Sequence, residues 1–242
     1  PEIVDPPIPL RFNLSHSRDL VVCAIALEHD LGVDVEYLAR KNARVLALVG
    51  TGAQVDTQLE AVMMVRRMKT VRLFDTTRGL AARFAKRCQR KYRGVEFHVS
   101  RSIQDCVADA DVICTLTPVR RPIIKAGWIK PGCHINAMGA DAPGKQELDP
   151  AILKKAKVVI DDWDQASHSG EINVPLSKGI IKRRDLHAEI GKVVAGLQPG
   201  RTKDDDITVF DSTGLAVQDL ITAHRVLQLA RKKRIGRWLE MV

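Results

Sequence analysis

Two glycines, Gly50 and Gly52, stand directly after the apolar run VLALV (45–49). They stand directly before an amphipathic stretch, Thr57 to Met68, whose apolar Leu59, Val62 and Met63 recur at helical spacing. A glycine at the first position allows a tight turn from strand to helix, and one at the second lets the backbone approach a pyrophosphate. The helix that follows would offer unpaired N–H groups and the positive end of its dipole to the phosphates. The third position of the Gly-x-Gly-x-x-Gly pattern is Val55, which sets helix and strand slightly further apart than glycine would. A glycine pair is also what a structural strand-to-helix turn looks like. Asp75 favours the first reading, because it ends a second apolar run, VRLFD (71–75), 25 residues after Gly50. A carboxylate there accepts hydrogen bonds from the adenosine ribose hydroxyls and repels a 2′-phosphate, so NAD is expected in preference to NADP. Arg78, just beyond, is the cation that a 2′-phosphate would meet. The expected cofactor-binding residues on this side are Gly50, Thr51, Gly52, Ala53, Gln54, Asp75, Thr76 and Arg78.

The elements that must position these residues alternate in type. Apolar runs at 45–50, 71–75, 95–99, 111–118, 134–139, 157–162 and 207–211 read as strands. Helical patterns lie between them, at Gly79 to Tyr92, at Ser102–Ala108 with Ser102 as a capping hydroxyl, and near Pro150–Lys155. The longest expected helix is Leu215–Arg231. Strands apolar on nearly every residue are buried on both faces, as parallel sheets require, and strand–helix alternation predicts right-handed crossovers. The fold class is therefore α/β, a doubly wound (Rossmann), mostly parallel sheet with a short extra N-terminal segment. That segment differs in rhythm. PEIVDPPIPL (1–10) has four prolines and predicts an extended lead-in, FNLSHS a loop, LVVCAIAL a strand and GVDVE another strand. The expected division is an N-terminal segment at 1–36, a Rossmann domain at 37–230 and a basic tail at 231–242.

The chain has 242 residues, 45% of them hydrophobic and 28% charged, enough to bury a sizeable core and unlike a disordered composition. Its apolar runs are strand-length and fall short of a membrane span of roughly 20 residues. No basic-then-apolar signal segment is seen, so a cytoplasmic location is expected. Lys and Arg exceed the acids by 38 − 29 = 9, a balance that attracts phosphates and acidic substrates. The cations are scattered and aromatics are only 4%, which argues against a stacking surface for nucleic acid. The dense cluster Arg231-Lys232-Lys233-Arg234 reads as a solvated helix end. Five cysteines form no C-x-x-C pair, and Cys114 and Cys133 sit in apolar runs as packed thiols, so no structural metal is expected.

From Tyr37 to about Arg231 the sequence resembles the ornithine cyclodeaminase/mu-crystallin family, and within it the archaeal-type alanine dehydrogenases. The resemblance is carried by YLARKNA (37–43), GTGAQ with Gln58, HINAMGADAPGKQELD (134–149), DDWDQASHSGEIN (161–173), LHAEIGKVVAG (186–196) and FDSTGLAVQD (210–219). It implies a Rossmann domain that binds NAD(H) and works on a small L-amino acid. In the alanine branch hydride leaves the substrate Cα and the imine is hydrolysed to pyruvate and ammonia. The alternatives are an ammonia-lyase of the cyclodeaminase type, which borrows and returns the hydride, and a cofactor-binding module without turnover. By the resemblance Asp211 of FDSTG is the catalytic aspartate, able to position the amine or attacking water and take up a proton; locally it also reads as a helix cap. Thr115, Thr117, Pro118, Met138, Gly139 and Asp141 match segments lining the nicotinamide side. Ser212 and Thr213 would reach the cofactor or substrate, or merely cap. His134, His168 and His187 are expected to be structural.

Members of that family carry a substrate domain ahead of the Rossmann domain, with an arginine in an R-T-G/A element shortly before the YLAR segment. Here GVDVE runs straight into YLARKNA, and nothing marks Arg40, Lys41 or Arg44 as replacements. Weakened activity is the expectation, and a homodimer is left open because the family dimerises largely through that domain. Residues 9–36 instead resemble part of the 4′-phosphopantetheinyl transferases, in PLRFNLSHS (9–17) and GVDVE (32–36). That resemblance would make His16 a coenzyme A contact and Asp34 and Glu36 ligands for Mg²⁺. The W-x-x-K-E-A motif of those transferases has no counterpart, so the fragment is a remote alternative.

Overall fold

A computed structural model of the chain describes residues 11–17, 20–26, 33–214 and 216–236. The proline-rich lead-in (1–10) and the end of the basic tail (237–242) lie outside these, as does the side chain of His16.

A hairpin comes first, β1 (Arg11–Ser17) pairing antiparallel with β2 (Leu20–Ala26). The loop expected at FNLSHS is thus a strand, in keeping with the two-residue alternation of Phe12, Leu14 and His16 with polar neighbours. The expected strand at GVDVE is also corrected, because α1 (Val33–Leu38) is a helix. Its alternation V-D-V-E suggested a strand, but Val35, Leu38 and Ala39 fall at i, i+3 and i+4 and are all buried. Arg66 fixes the helix end, its guanidinium donating to the carbonyl oxygens of Val35, Glu36, Ala39 and Arg40 at 2.9–3.1 Å. Helix α1 therefore runs across the 36/37 point.

The alternating elements follow. They are β3 (Val45–Val49), α2 (Val55–Val65), β4 (Thr70–Phe74), α3 (Leu80–Lys91), β5 (Glu96–Val99), α4 (Ile103–Val107) and β6 (Val112–Thr115). Then come β7 (Arg120–Ile124), β8 (His134–Ala137), β9 (Gln146–Leu148), α5 (Pro150–Lys155), β10 (Lys157–Ile160), α6 (Trp163–Ser169) and α7 (Asn173–Ser177). The chain continues with β11 (Ala188–Glu189), α8 (Ile190–Val194), β12 (Thr208–Asp211) and α9 (Ala216–Lys233). Eight strands form one parallel sheet in the order β11-β10-β12-β8-β6-β3-β4-β5. A separate parallel pair, β7 with β9, was not foreseen.

The order reverses at β3, whose successors β4 and β5 run to one side while β6 and β8 lie on the other. Successive side chains of β3 feed two layers. Leu46 and Leu48 pack with Val55, Leu59, Val62 and Phe84 on one face, whereas Ala47 and Val49 pack with Val107, Ile113 and Ile135 on the other. Helices therefore cover both faces, which is the doubly wound α/β fold. The cap expected at Ser102 forms, and a second one appears at Asp149. Ser102 accepts from Asp105 N at 3.0 Å, and Asp149 accepts from Ala151 N at 2.9 Å ahead of Pro150. Arg231, Lys232 and Lys233 end α9 and are exposed, where cations offset the helix dipole. Among the described residues no helix is long and apolar enough to cross a membrane.

Candidate active site

In an open parallel sheet, ligands bind outside the carboxyl ends of the strands where the order reverses, here between β3 and β6. Gly50 leaves β3 at φ +99°, in the left-handed region. A Cβ there would lie 2.9 Å from Leu116 O and 3.1 Å from Thr117 Cγ2, so the bare Cα is what lets the β3 and β6 loops close on each other. Gly52 is the opposite case, since a Cβ on it would meet nothing within 4 Å and would project into open space. Helix α2 begins at Val55 with no side-chain cap from Gln54, leaving first-turn N–H groups for an anion.

Asp75, half-buried at the end of β4, ties this cradle down. One carboxylate oxygen accepts from Thr51 N and Thr51 Oγ1, both at 2.7 Å, and the other accepts from Thr77 N at 2.7 Å. Burial pushes its pKa up, but these hydrogen bonds outweigh that and hold the carboxyl below its ordinary value. Gly52, Ala53, Gln54, Thr76 and Arg78 are exposed around it, so the residues expected on the adenosine side are neighbours on the ends of β3 and β4. A glycine that faces open space and a carboxylate on the adjacent strand fit a dinucleotide.

The other expected residues gather at the ends of β6, β8 and β12. Thr115 is buried, Thr117 and Met138 half-buried and Pro118 exposed. Thr117 and Gly139 are joined by Glu147, a residue that the sequence reading passed over. Glu147 Oε1 accepts from Thr117 N (2.7 Å) and Thr117 Oγ1 (2.6 Å), and its Oε2 accepts from Gly139 N (2.9 Å). Three further buried acids extend the pattern. The Glu171 carboxylate accepts from Glu147 N and Leu148 N, and Asp211 Oδ1 and Oδ2 accept from Glu171 N (2.8 Å) and Ile172 N (3.1 Å). Asp161 accepts from Thr213 N, Thr213 Oγ1 and Gly214 N, and its own N–H donates to Asp211 O. Each acid sits in or beside a buried strand or turn and holds a neighbouring segment through backbone N–H groups. The signal available in sequence was an acid directly after an apolar run, as in VVI-Asp161, or between glycine and isoleucine, as at Glu171.

Asp211, the expected catalytic aspartate, is entirely buried in this row, and both of its oxygens are engaged with the turn ahead of α7. Burial first, and the Asp161 carboxylate second, push its pKa up to about 8. Burial likewise raises Glu147, Asp161 and, most strongly, Glu171. Asp141 does not join the row, because it is exposed and pairs with Lys145 on a surface turn. Ser212 is anchored through its N–H to Ala137 O at 3.1 Å.

The cations before β3 lie at the opposite, amino edge. Asp111, ahead of β6, accepts from Arg40 Nη2, Lys130 Nζ and Arg44 N, each at 2.7 Å, and from Val45 N at 3.0 Å. Arg40 therefore takes no part in the crevice. Of the histidines expected to be structural, His134 bonds Thr208 Oγ1, His168 the carbonyl of Asp164 and His187 that of Pro199. The Mg²⁺ pairing considered for Asp34 and Glu36 is corrected by α1. Two residues apart on a helix they diverge, Asp34 buried toward His134 and Glu36 exposed. Among the described residues no group of three or more His, Cys, Asp or Glu could share a metal ion. Cys88, Cys106, Cys114 and Cys133 are buried free thiols. Burial pushes Cys106 and Cys133 up to about 12, leaving them unreactive.

The model of the ornithine cyclodeaminase/mu-crystallin family matches residues 30–234. This chain belongs to that family. It is 48% identical over 205 residues to an alanine dehydrogenase of Archaeoglobus fulgidus, covering 85% of this chain and 62% of the relative. A solved archaeal alanine dehydrogenase dimer with bound NAD superposes with a TM-score of 0.83 at 46% identity, covering 87% of this chain and 65% of that one. The Thermococcus litoralis Δ1-pyrroline-2-carboxylate reductase, in complex with NADH and L-proline, superposes with a TM-score of 0.82 at 34% identity, covering 86% and 64%. The chain spans less than two thirds of the length of these family members. The matched family begins at residue 30, and no comparison supports the transferase resemblance of residues 9–36.

Proposed function

We propose that this chain holds NAD(H) across the carboxyl edge of its sheet and serves an oxidoreductase acting on a small L-amino acid. The simplest case is alanine dehydrogenase, in which L-alanine, NAD and water give pyruvate, ammonia and NADH. The observation that carries the reading is the open Gly52 beside an α2 N-terminus, with Asp75 at the end of the adjacent strand. The choice of alanine rests on the 48% identity to the Archaeoglobus enzyme.

When bound, the cofactor supplies a two-electron hydride acceptor or donor. The chain's own residues bind and orient it. The first turn of α2 and the Gly50–Gln54 backbone take the pyrophosphate, Asp75 takes the ribose, and Thr117, Met138 and Gly139 wall the nicotinamide side. Ser212 and Thr213 close that side from β12. Asp211 is the carboxyl on which turnover depends, and from beneath the Glu171–Ile172 turn it acts by holding that turn in place. Burial and the neighbouring Asp161 raise its pKa and so favour the protonated form. The partners are a small L-amino acid, or a 2-oxo acid with ammonia, and a second copy of the chain, as in the dimeric archaeal relative. Buried free thiols suit a reducing, cytoplasmic setting.

The likeness to the Thermococcus reductase favours a second reading, hydride transfer to a cyclic imine. Mixing the chain and NADH with pyruvate plus ammonium, and separately with Δ1-pyrroline-2-carboxylate, tests the two. NADH consumption only in the first mixture is expected; consumption only in the second makes the chain an imine reductase. Conversion of ornithine to proline without net NADH formation would make it a cyclodeaminase. Binding with no turnover would leave a cofactor-holding module.

A further inference from the structure

The buried Glu147 side chain spans the two loops on which the nicotinamide side is built. Its Oε1 takes both the N–H and the hydroxyl of Thr117, which follows β6, and its Oε2 takes the N–H of Gly139, which follows β8. The pair of hydrogen bonds from Thr117 also fixes that side chain's rotamer. With the hydroxyl turned to Glu147, the methyl Cγ2 is the group that lies 3.1 Å from where a Cβ on Gly50 would stand. Gly139 is equally constrained. A Cβ there would fall 2.3 Å from Thr117 O and 2.5 Å from Glu147 Oε2, so this loop can approach only because residue 139 is glycine. A carboxylate with no exposed surface is costly to bury unless its hydrogen bonds are satisfied. Here both oxygens are filled from loops that face the crevice. Glu171, accepting from Glu147 N and Leu148 N, holds the acid's own backbone in turn.

Resting on the dinucleotide reading above, we propose that Glu147 is a positioning residue. It sets the spacing between the Thr117 and Gly139 loops, and so the slot for the nicotinamide half, without touching the cofactor. The adenosine half lies across β3 and β4, on Thr51 and Asp75, where Glu147 has no contact. The role thus separates by ligand. A glutamine at this position can accept with only one atom and presents an NH2 group to a backbone N–H, so it cannot hold both loops.

The test compares NADH with ADP-ribose, which lacks the nicotinamide, by titration of the wild-type chain and Glu147→Gln. The variant is expected to keep ADP-ribose affinity within about twofold and to lose NADH affinity about tenfold, the effect of one hydrogen bond in a buried site. Equal loss for both ligands, or no loss for either, would overturn the proposal. Thr117→Val and Thr117→Ser provide the same test if Glu147→Gln does not fold. Valine keeps a methyl toward Gly50 but loses the hydroxyl bond, so it should weaken NADH selectively; serine keeps the hydroxyl and should bind NADH more tightly than valine does. The reverse order would again overturn the proposal. Wild-type chain that binds neither compound would overturn the dinucleotide reading itself, a result distinguishable from the others because no variant is needed to see it.

Discussion

Thr51 and Asp75 are joined twice, the N–H and Oγ1 of Thr51 each donating at 2.7 Å to one carboxylate oxygen of Asp75. The glycine cradle after β3 is thereby latched to the end of β4, and the residue expected to meet the ribose also shapes the loop that meets the phosphates. Asp75→Ala removes both functions. Its NADH affinity is expected to fall at least about tenfold, and the preference for NADH over NADPH to narrow, since the charge repelling a 2′-phosphate is gone and Arg78 remains nearby. Parallel titrations with the two cofactors check this; an unchanged preference would remove Asp75 from the ribose site.

The juxtaposition of the residues proposed for the adenosine half was legible because its signals are local. Gly50, Gly52 and Asp75 each sit at a strand end that an apolar run announces, and the parallel register brings β3 and β4 together. The acids Glu147, Asp161 and Glu171 were not legible in the same way. Most of their partners are backbone N–H groups up to 52 residues away, which leave no pattern in side-chain type. Helix α1 was misread because V-D-V-E alternates like a strand, whereas the helical spacing of Val35, Leu38 and Ala39 and the distant Arg66, capping its carbonyls, show why the segment coils. The β7–β9 pair was missed for a related reason. Arg120 and Arg121 are exposed, and RRPII lacks the apolar continuity of the central strands.

Asp111 governs the amino edge and gives a stability prediction. Burial pushes its carboxyl up, but Lys130, the N–H groups of Arg44 and Val45, and Arg40 prevail and hold it at about 2. A folded value below the unfolded one, about 4, means that the stabilisation is present above about pH 4 and lost as pH falls toward 2. At neutral pH, Asp111→Asn should cost roughly 2 kcal/mol, or about 4–8 °C in Tm for a chain of this size. Thermal melts at pH 7 and pH 3 check it, the wild-type advantage shrinking at the lower pH.

The carboxyl row predicts the opposite sign. Asp211 is raised to about 8 by burial and by Asp161, above its unfolded value, so its stabilisation is full at low pH and is lost as pH rises through 8. Glu147, Asp161 and Glu171 are displaced in the same direction. Wild-type Tm should fall by a few degrees, about 2–6 °C, between pH 6 and pH 8.5. Asp211→Asn, which cannot ionise, should show a smaller fall and should lose turnover by at least about tenfold. An identical pH slope in variant and wild type would show that Asp211 is not among the groups titrating.

The central claim is that the Gly50–Gly52 cradle holds a dinucleotide, and an NADH fluorescence titration of the purified chain tests it most directly. Gly52→Arg is the control, because a Cβ at that position meets nothing within 4 Å and points into open space, so the arginine can extend without displacing the backbone. The account predicts saturable NADH binding that NAD competes away, and its loss in Gly52→Arg with Tm unchanged to within about 2 °C. NADH binding that survives Gly52→Arg, or is absent from the wild-type chain, would contradict it.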